Sequence, residues 1–224
     1  MNEVIPYDEM CRREGKRKLQ KGMNFGLGGN YSIVLMSVRR GAPYNDRIED
    51  NGATLIYEGH NAPKDPSIDQ PEFNRGGTPT ENGRFHHAAQ GYKTGTRQAE
   101  RVKVYQKIRA GIWSDNGFFH LVNSWTEQSG ARHVFKFKLI SVEKATTSLT
   151  APSLPGRGRL IPASVKIEVW KRDKGTCQHE DCDATDELHF DHVVPFAKGG
   201  TSVVAKNIQL LCARHNLEKS DRIK

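Results

Sequence analysis

The sequence has no apolar run approaching the roughly 20 residues that a membrane span requires, so no transmembrane helix is expected. Its opening, MNEVIPYDEMCRREGKRKLQKG, lacks the continuous apolar stretch and small-residue cleavage site of a secretory signal, and a cytoplasmic protein is expected. Cysteine is scarce: Cys11, Cys177, Cys182 and Cys212 are the four in 224 residues, and three of them crowd into the last quarter. Without an export signal, that clustering reads as metal binding before disulfides. Acidic residues are outnumbered by Lys and Arg, 26 to 34, and the resulting charge of +8 suits a polyanionic partner such as nucleic acid. No internal repeat is visible.

What the chain does have is a change of texture along its length. Residues 1–24 are polar and dense in Arg12, Arg13, Lys16, Arg17, Lys18 and Lys21, and read as a basic arm or a solvated helix. From about Phe25 to Glu143 the runs YSIVLMSV (31–38), ATLIYEG (53–59), RVKVYQKI (101–108), GFFHLVNSW (117–125) and HVFKFKLISV (133–142) are β-branched or aromatic. They are bounded by Gly, Asn and Pro, which predicts a curved sheet or barrel. The Gly-, Pro-, His- and Asn-rich stretch 61–97 reads as a long irregular connection of the functional or disordered kind. Residues 144–163, KATTSLTAPSLPGRGRLIPA, have a linker composition. Beyond them, Ser164 is placed to cap a helix through Arg172, with Val165 and Val169 on one face. The expected class is α+β, with a domain at 1–143, a linker at 144–163 and a small module at 164–224.

The chemistry is densest in that module. Cys177-x4-Cys182 and Cys212-x-x-His215 form two knuckles about 30 residues apart, and together they offer four ligands for a tetrahedral structural Zn²⁺. His179, inside the first knuckle, is a competing ligand. Between the knuckles lies HFDHVVPFAKGG (189–200), then Asn207, then LCARHNLEK (211–219). Over about 60 residues this string resembles the HNH, or His-Me finger, nuclease family, whose fold is a β-hairpin and a helix around a metal. The resemblance implies that Asp191 and Asn216 hold a divalent cation, Mg²⁺ or Mn²⁺, that His192 is the general base, and that Asn207 braces the loop carrying it. The chemistry suits these types: hard oxygens ligate such a cation, and a neutral imidazole accepts a proton near pH 7. The family's third position is often histidine and here is Asn216, directly after His215. His215 is therefore open to assignment to either metal. His189 reads as a hairpin surface residue, and Lys198 or Lys219 as a phosphate contact.

A second resemblance covers roughly 25–143. YSIVLMSVRRGAPYNDRIEDNGATLIYEGHN (31–61), with SDNGFFHLVNSWTE (114–127) and HVFKFKLI (133–140), resembles the SRA (SET- and RING-associated, YDG) domains that read modified cytosine in DNA. That family flips the base into a pocket of aromatic faces and polar readers. By position, the resemblance implies that Tyr44 and Tyr57 stack on the base, that Asp46 accepts from its exocyclic amine, and that Glu58 stands where other readers carry a small hydroxyl residue. Arg39 and Arg40 read equally as phosphate clamps or solvated charges. Joined, the two resemblances imply a modification-dependent restriction endonuclease acting on double-stranded DNA that carries 5-methylcytosine or 5-hydroxymethylcytosine. One HNH module makes one cut, so a homodimer is expected.

Overall fold

The computed structural model describes residues 2–37, 44–50, 53–61, 65–142 and 160–223; Arg39, Arg40 and most of the expected linker lie outside them. Strand β1 (Glu3–Pro6) and helix α1 (Tyr7–Arg13) open the chain, followed by β2 (Met23–Asn24), β3 (Ser32–Met36), β4 (Arg47–Glu49) and β5 (Thr54–Glu58). Helix α2 (Glu81–Lys93) precedes three long strands, β6 (Glu100–Arg109), β7 (Ile112–Ser129) and β8 (Arg132–Ser141). Then come α3 (Ala163–Arg172), β9 (Leu188–His192), β10 (Ile208–Cys212) and α4 (Ala213–Lys219).

The ten strands among the described residues belong to one mixed sheet, in the order β10-β9-β1-β7-β6-β3-β2, with β8, β5 and β4 branching from β7. The ladders are antiparallel except β3 with β6. The long β7 makes this branching possible: its first half pairs β1 and β6, its second half β8. The register slips by one residue where Lys103 faces Phe118 and Tyr105 faces Asp115. Gly117, at φ 77°, takes up the extra residue, and its N–H is held by Asp115 Oδ1 at 2.9 Å. Such a bulge bends the strand and re-aims its side chains. Among the described residues, β2 and β4 do not pair with each other.

Three apolar clusters sit on this frame. The largest packs Val34, Leu55, Val102, Val104, Phe119, Phe137 and Leu139 of the sheet against Phe85, Ala88 and Ala89 of α2. That helix corrects the reading of 61–97 as irregular. Thr80 caps it, its Oγ1 accepting from Gly83 N, and the buried residues keep i, i+3, i+4 spacing. Two glycines, two histidines and an asparagine hide the period in the sequence.

The N-terminal segment expected as an arm instead enters the sheet. Successive side chains of a strand face opposite ways, so Val4 joins the cluster of the C-terminal module while Ile5 packs with Met10, Tyr105 and Trp113. Part of the segment's charge is spent locally, since Arg13 pairs with Glu3 at 2.6 Å and with Glu9 at 2.7 Å. Glu3 also pairs with His189, and Asn2 O accepts from Phe190 N, so β1 splices the C-terminal hairpin onto the larger sheet. The helix expected from Ser164 begins one residue earlier at Ala163, preceded by Pro162 and without a side-chain cap; Val165 and Val169 are buried.

Candidate functional site

Four side chains that could hold a metal ion come together in the C-terminal module. Sγ of Cys177, Cys182 and Cys212 and a ring nitrogen of His215 lie within 4.8 Å of one another. Cys177 Sγ and Cys212 Sγ are each 3.4 Å from His215 Nδ1. Ligands bound to zinc at ordinary sulfur and nitrogen distances and tetrahedral angles stand about 3.5 Å apart, so the donors fit that ion. His179 lies outside the set: its ring stacks on His215 at 3.8 Å and its Nδ1 sits 2.9 Å from Glu180 O. The four donors reach one point because β10 ends at Cys212, where α4 begins and brings His215 round on its first turn, while the 177–182 knuckle is tied down by Gln178 N donating to Leu210 O.

The same hairpin and helix build a cleft of about 360 Å³. Asp191, His192 and Asn216 line it, with Asn2, Asn116 and Phe119 on its opposite wall. Asp191 and His192 both line it although they are neighbours at the end of β9, whose ladder with β1 goes no further than His189. The His192 ring is tethered by Nε2 at 2.9 Å from Ser202 Oγ. Asn207 sits behind this loop and spans it: its Oδ1 accepts from Val194 N at 2.8 Å, and its Nδ2 donates to Val194 O and Thr201 O at 3.2 and 3.0 Å. Gly200 is required beside it, because a Cβ there would stand 1.8 Å from Val194 O. Lys219, expected as a phosphate contact, is 1% exposed. Its Nζ pairs with Asp191 Oδ2 at 2.9 Å and donates to His192 O at 2.6 Å.

Lys166 adds a buried cation at the seam between module and sheet. Fully buried on α3, it donates to Ser114 Oγ at 2.8 Å and Asn116 Oδ1 at 2.6 Å, the side chains re-aimed by the β7 bulge. Burial lowers its pKa to about 7, against a smaller opposing pull from Asp115.

On the N-terminal sheet, Tyr44, Asp46 and Tyr57 line one pocket of about 630 Å³, with Gly22, His60 and Trp113. Tyr44 stacks with His60, centroids 6.1 Å apart. Gly22 forms the floor, where a Cβ would lie 2.7 Å from Tyr57 Oη and 2.9 Å from His60 Nε2. Burial raises Asp46 to about 7, although its Oδ1 accepts from Glu58 N at 2.9 Å. Glu58, placed with the base readers from sequence, does not line this pocket. On β5 its side chain alternates with that of Tyr57, and its carboxylate is buried against Lys136 Nζ at 2.7 Å and Asn45 N at 3.0 Å. His60, Gly22 and Trp113 were not anticipated. The histidine two residues beyond Glu58 in YEGHN was the available signal, whereas Gly22, in the bend before β2, and Trp113, on β7, come from distant parts of the chain.

The HNH endonuclease family model matches residues 176–222. No curated protein sequence matches the chain. Among solved structures, the SUVH5 SRA domain with hemimethylated CG DNA is similar at 24% identity and TM-score 0.45, over 67% of this chain and 90% of that one. The same domain with fully methylated CG DNA is similar at 22% and 0.44, over 62% and 85%. A modification-dependent restriction endonuclease, TagI, is similar at 18% and 0.43, over 96% of this chain and 76% of that one. No helix among the described residues is long and apolar enough to cross a membrane. By its family match, its Cys3His knuckles and its strand, loop, strand and helix around one cleft, the segment 176–222 is an HNH endonuclease domain.

Proposed function

We propose that the chain is a modification-dependent DNA endonuclease that flips a modified cytosine into the N-terminal pocket and hydrolyses a nearby phosphodiester at the HNH cleft. The observation that carries this reading is the convergence of Asp191, His192 and Asn216 on one cleft, in a sheet continuous with a pocket lined by Tyr44, Asp46 and Tyr57. Asp191 and Asn216 offer the hard oxygen donors that suit Mg²⁺ or Mn²⁺. Such a cation, when bound, stabilises charge on the scissile phosphate and the leaving 3′ oxygen. His192 takes the proton of the attacking water, Ser202 orients its ring and Asn207 braces the loop that carries it. Cys177, Cys182, Cys212 and His215 hold a structural Zn²⁺, which leaves His215 out of the catalytic set.

In the pocket, Tyr44 and Tyr57 supply aromatic faces and Asp46 accepts from the exocyclic amine of cytosine. Flipping costs a few kcal/mol, and a pocket fitted to the modified base offsets that cost selectively, giving the cleft a discrimination it has no means of making itself. Each cleft cuts one strand, so a double-strand break calls for a homodimer, and a restriction enzyme of this kind acts in the cytoplasm. The test is to incubate the protein with matched duplexes carrying cytosine, 5-methylcytosine, 5-hydroxymethylcytosine or its glucosylated form, in Mg²⁺ and in Mn²⁺, beside an EDTA control. Cleavage confined to modified duplexes is expected. Indifferent cleavage would overturn the role of the pocket, and selective binding without cleavage would overturn that of the cleft.

A further inference from the structure

Lys219 is unusual for the last residue of an exposed helix. A lysine there ordinarily reaches into water, where it also complements the carbonyl end of the helix dipole. This one runs back under the hairpin, is 1% exposed, and places its ammonium 2.9 Å from Asp191 Oδ2 and 2.6 Å from the carbonyl of His192. Asp191 is itself only 15% exposed at the side chain and lines the cleft. One of its two oxygens is therefore engaged from behind by a buried cation.

We propose that Lys219 is a positioning residue that limits Asp191 to a single oxygen for the catalytic cation, so that the cation is held weakly by the protein alone and firmly only when a DNA phosphate joins it. The inference rests on the reading of Asp191 as a cation ligand. Two charges argue for it: an ammonium in contact with the carboxylate both occupies a lone pair and repels a dication approaching the same group. Asn216, neutral, adds no charge to offset that repulsion. The second bond of the ammonium, to His192 O, ties the backbone of the proton acceptor to the same anchor, so the two side chains are set together. The consequence is an enzyme whose metal and substrate bind cooperatively, which restrains cutting away from a captured site.

The test is a Mn²⁺ titration of zinc-loaded protein, followed by electron paramagnetic resonance, with and without a non-cleavable modified duplex. Wild-type protein is expected to bind Mn²⁺ weakly alone and about tenfold or more tightly with the duplex, on the scale by which groups behind a metal ligand alter affinity. Lys219→Met, close in shape and without charge, is expected to bind Mn²⁺ about tenfold more tightly in the absence of DNA and to lose most of the difference that DNA makes. Unchanged or weakened Mn²⁺ binding in a Lys219→Met protein that keeps its zinc would overturn the proposal. If that variant loses zinc, the wild-type titration decides: equal affinity with and without DNA overturns it. Asp191→Asn separates the two levels, because Mn²⁺ binding that survives this change removes Asp191 as a ligand and the underlying reading with it.

Discussion

The two sites of this protein are built on different scales of sequence. Every group of the HNH cleft that belongs to its own module comes from Phe190 to Asp221, and its supports, Ser202, Asn207 and Lys219, bond to neighbours at most 28 positions away. The N-terminal pocket draws on residues from Tyr7 to Trp113, and beneath it Glu58 and Lys136 pair across 78 positions. A site whose geometry is fixed locally survives as a motif, because the spacing itself carries the geometry. A site fixed by sheet register does not, since any strand of the right period delivers its side chains to the same place. The difference also assigns vulnerability: the cleft depends on a small unit built around the Cys3His set, and the pocket on a large apolar core.

The largest expected break in that comparison is loss of the zinc. Structural zinc contributes about 10 kcal/mol or more of apparent binding free energy to small modules, whereas the apolar cluster around Val102, Phe119 and Phe137 needs no ion. Cys182→Ser is therefore expected to release zinc, abolish nicking and unfold the hairpin while selective binding of modified DNA persists, read by metal content and gel shift. Failure of binding as well would show that β1 makes the two units fold as one. Next in size is His192→Ala, expected to slow nicking about 10²–10⁴-fold, the usual contribution of a general base, with binding of the modified duplex unchanged. Smaller again, Asp46→Ala should leave nicking of plain DNA at its low level and reduce the preference for modified DNA by about 10–100-fold, the value of 1–3 kcal/mol for a base-edge contact. An undiminished preference would move the base reader to another residue of the pocket.

The same contrast explains what the sequence could disclose. The Cys3His set follows from spacing, the Asp191-His192 pair and the bracing position of Asn207 from the resemblance to the HNH family, and the strands at 31–38, 53–59, 101–108, 117–125 and 133–142 from period. Helix α2 escapes because Gly83, Gly91, His86 and His87 dilute its apolar face, and its existence is a tertiary matter, decided by Phe85 and Ala88 against the sheet. Lys219 escapes because burial, not residue type, converts a presumed phosphate contact into a partner of Asp191. Glu58 was legible as a position but not as a direction, since one step along β5 separates the pocket from the ion pair behind it.

The finest separation of the two regions is by pH, because each buries one titratable group with opposite consequences for stability. Asp46, in the pocket, is raised by burial from 3.8 to about 7, so the folded chain holds its proton where the unfolded chain has lost it. Stability from this group is present below pH 3.8 and falls as pH rises to about 7. Lys166, at the module seam, is lowered from 10.5 to about 7, so between those values the unfolded chain binds the extra proton and stability rises with pH. Asp46→Asn should accordingly gain melting temperature over wild type as pH climbs toward 7 and hold that gain above it. Lys166→Met should show its most favourable difference below pH 7 and lose it progressively toward 10.5, superimposed on a constant penalty for leaving Ser114 and Asn116 without their donor. Two melting series with slopes in these separate windows would establish that pocket and seam are stabilised independently. A single shared slope would instead mean that the sheet spliced by β1 couples the protonation of one to the other.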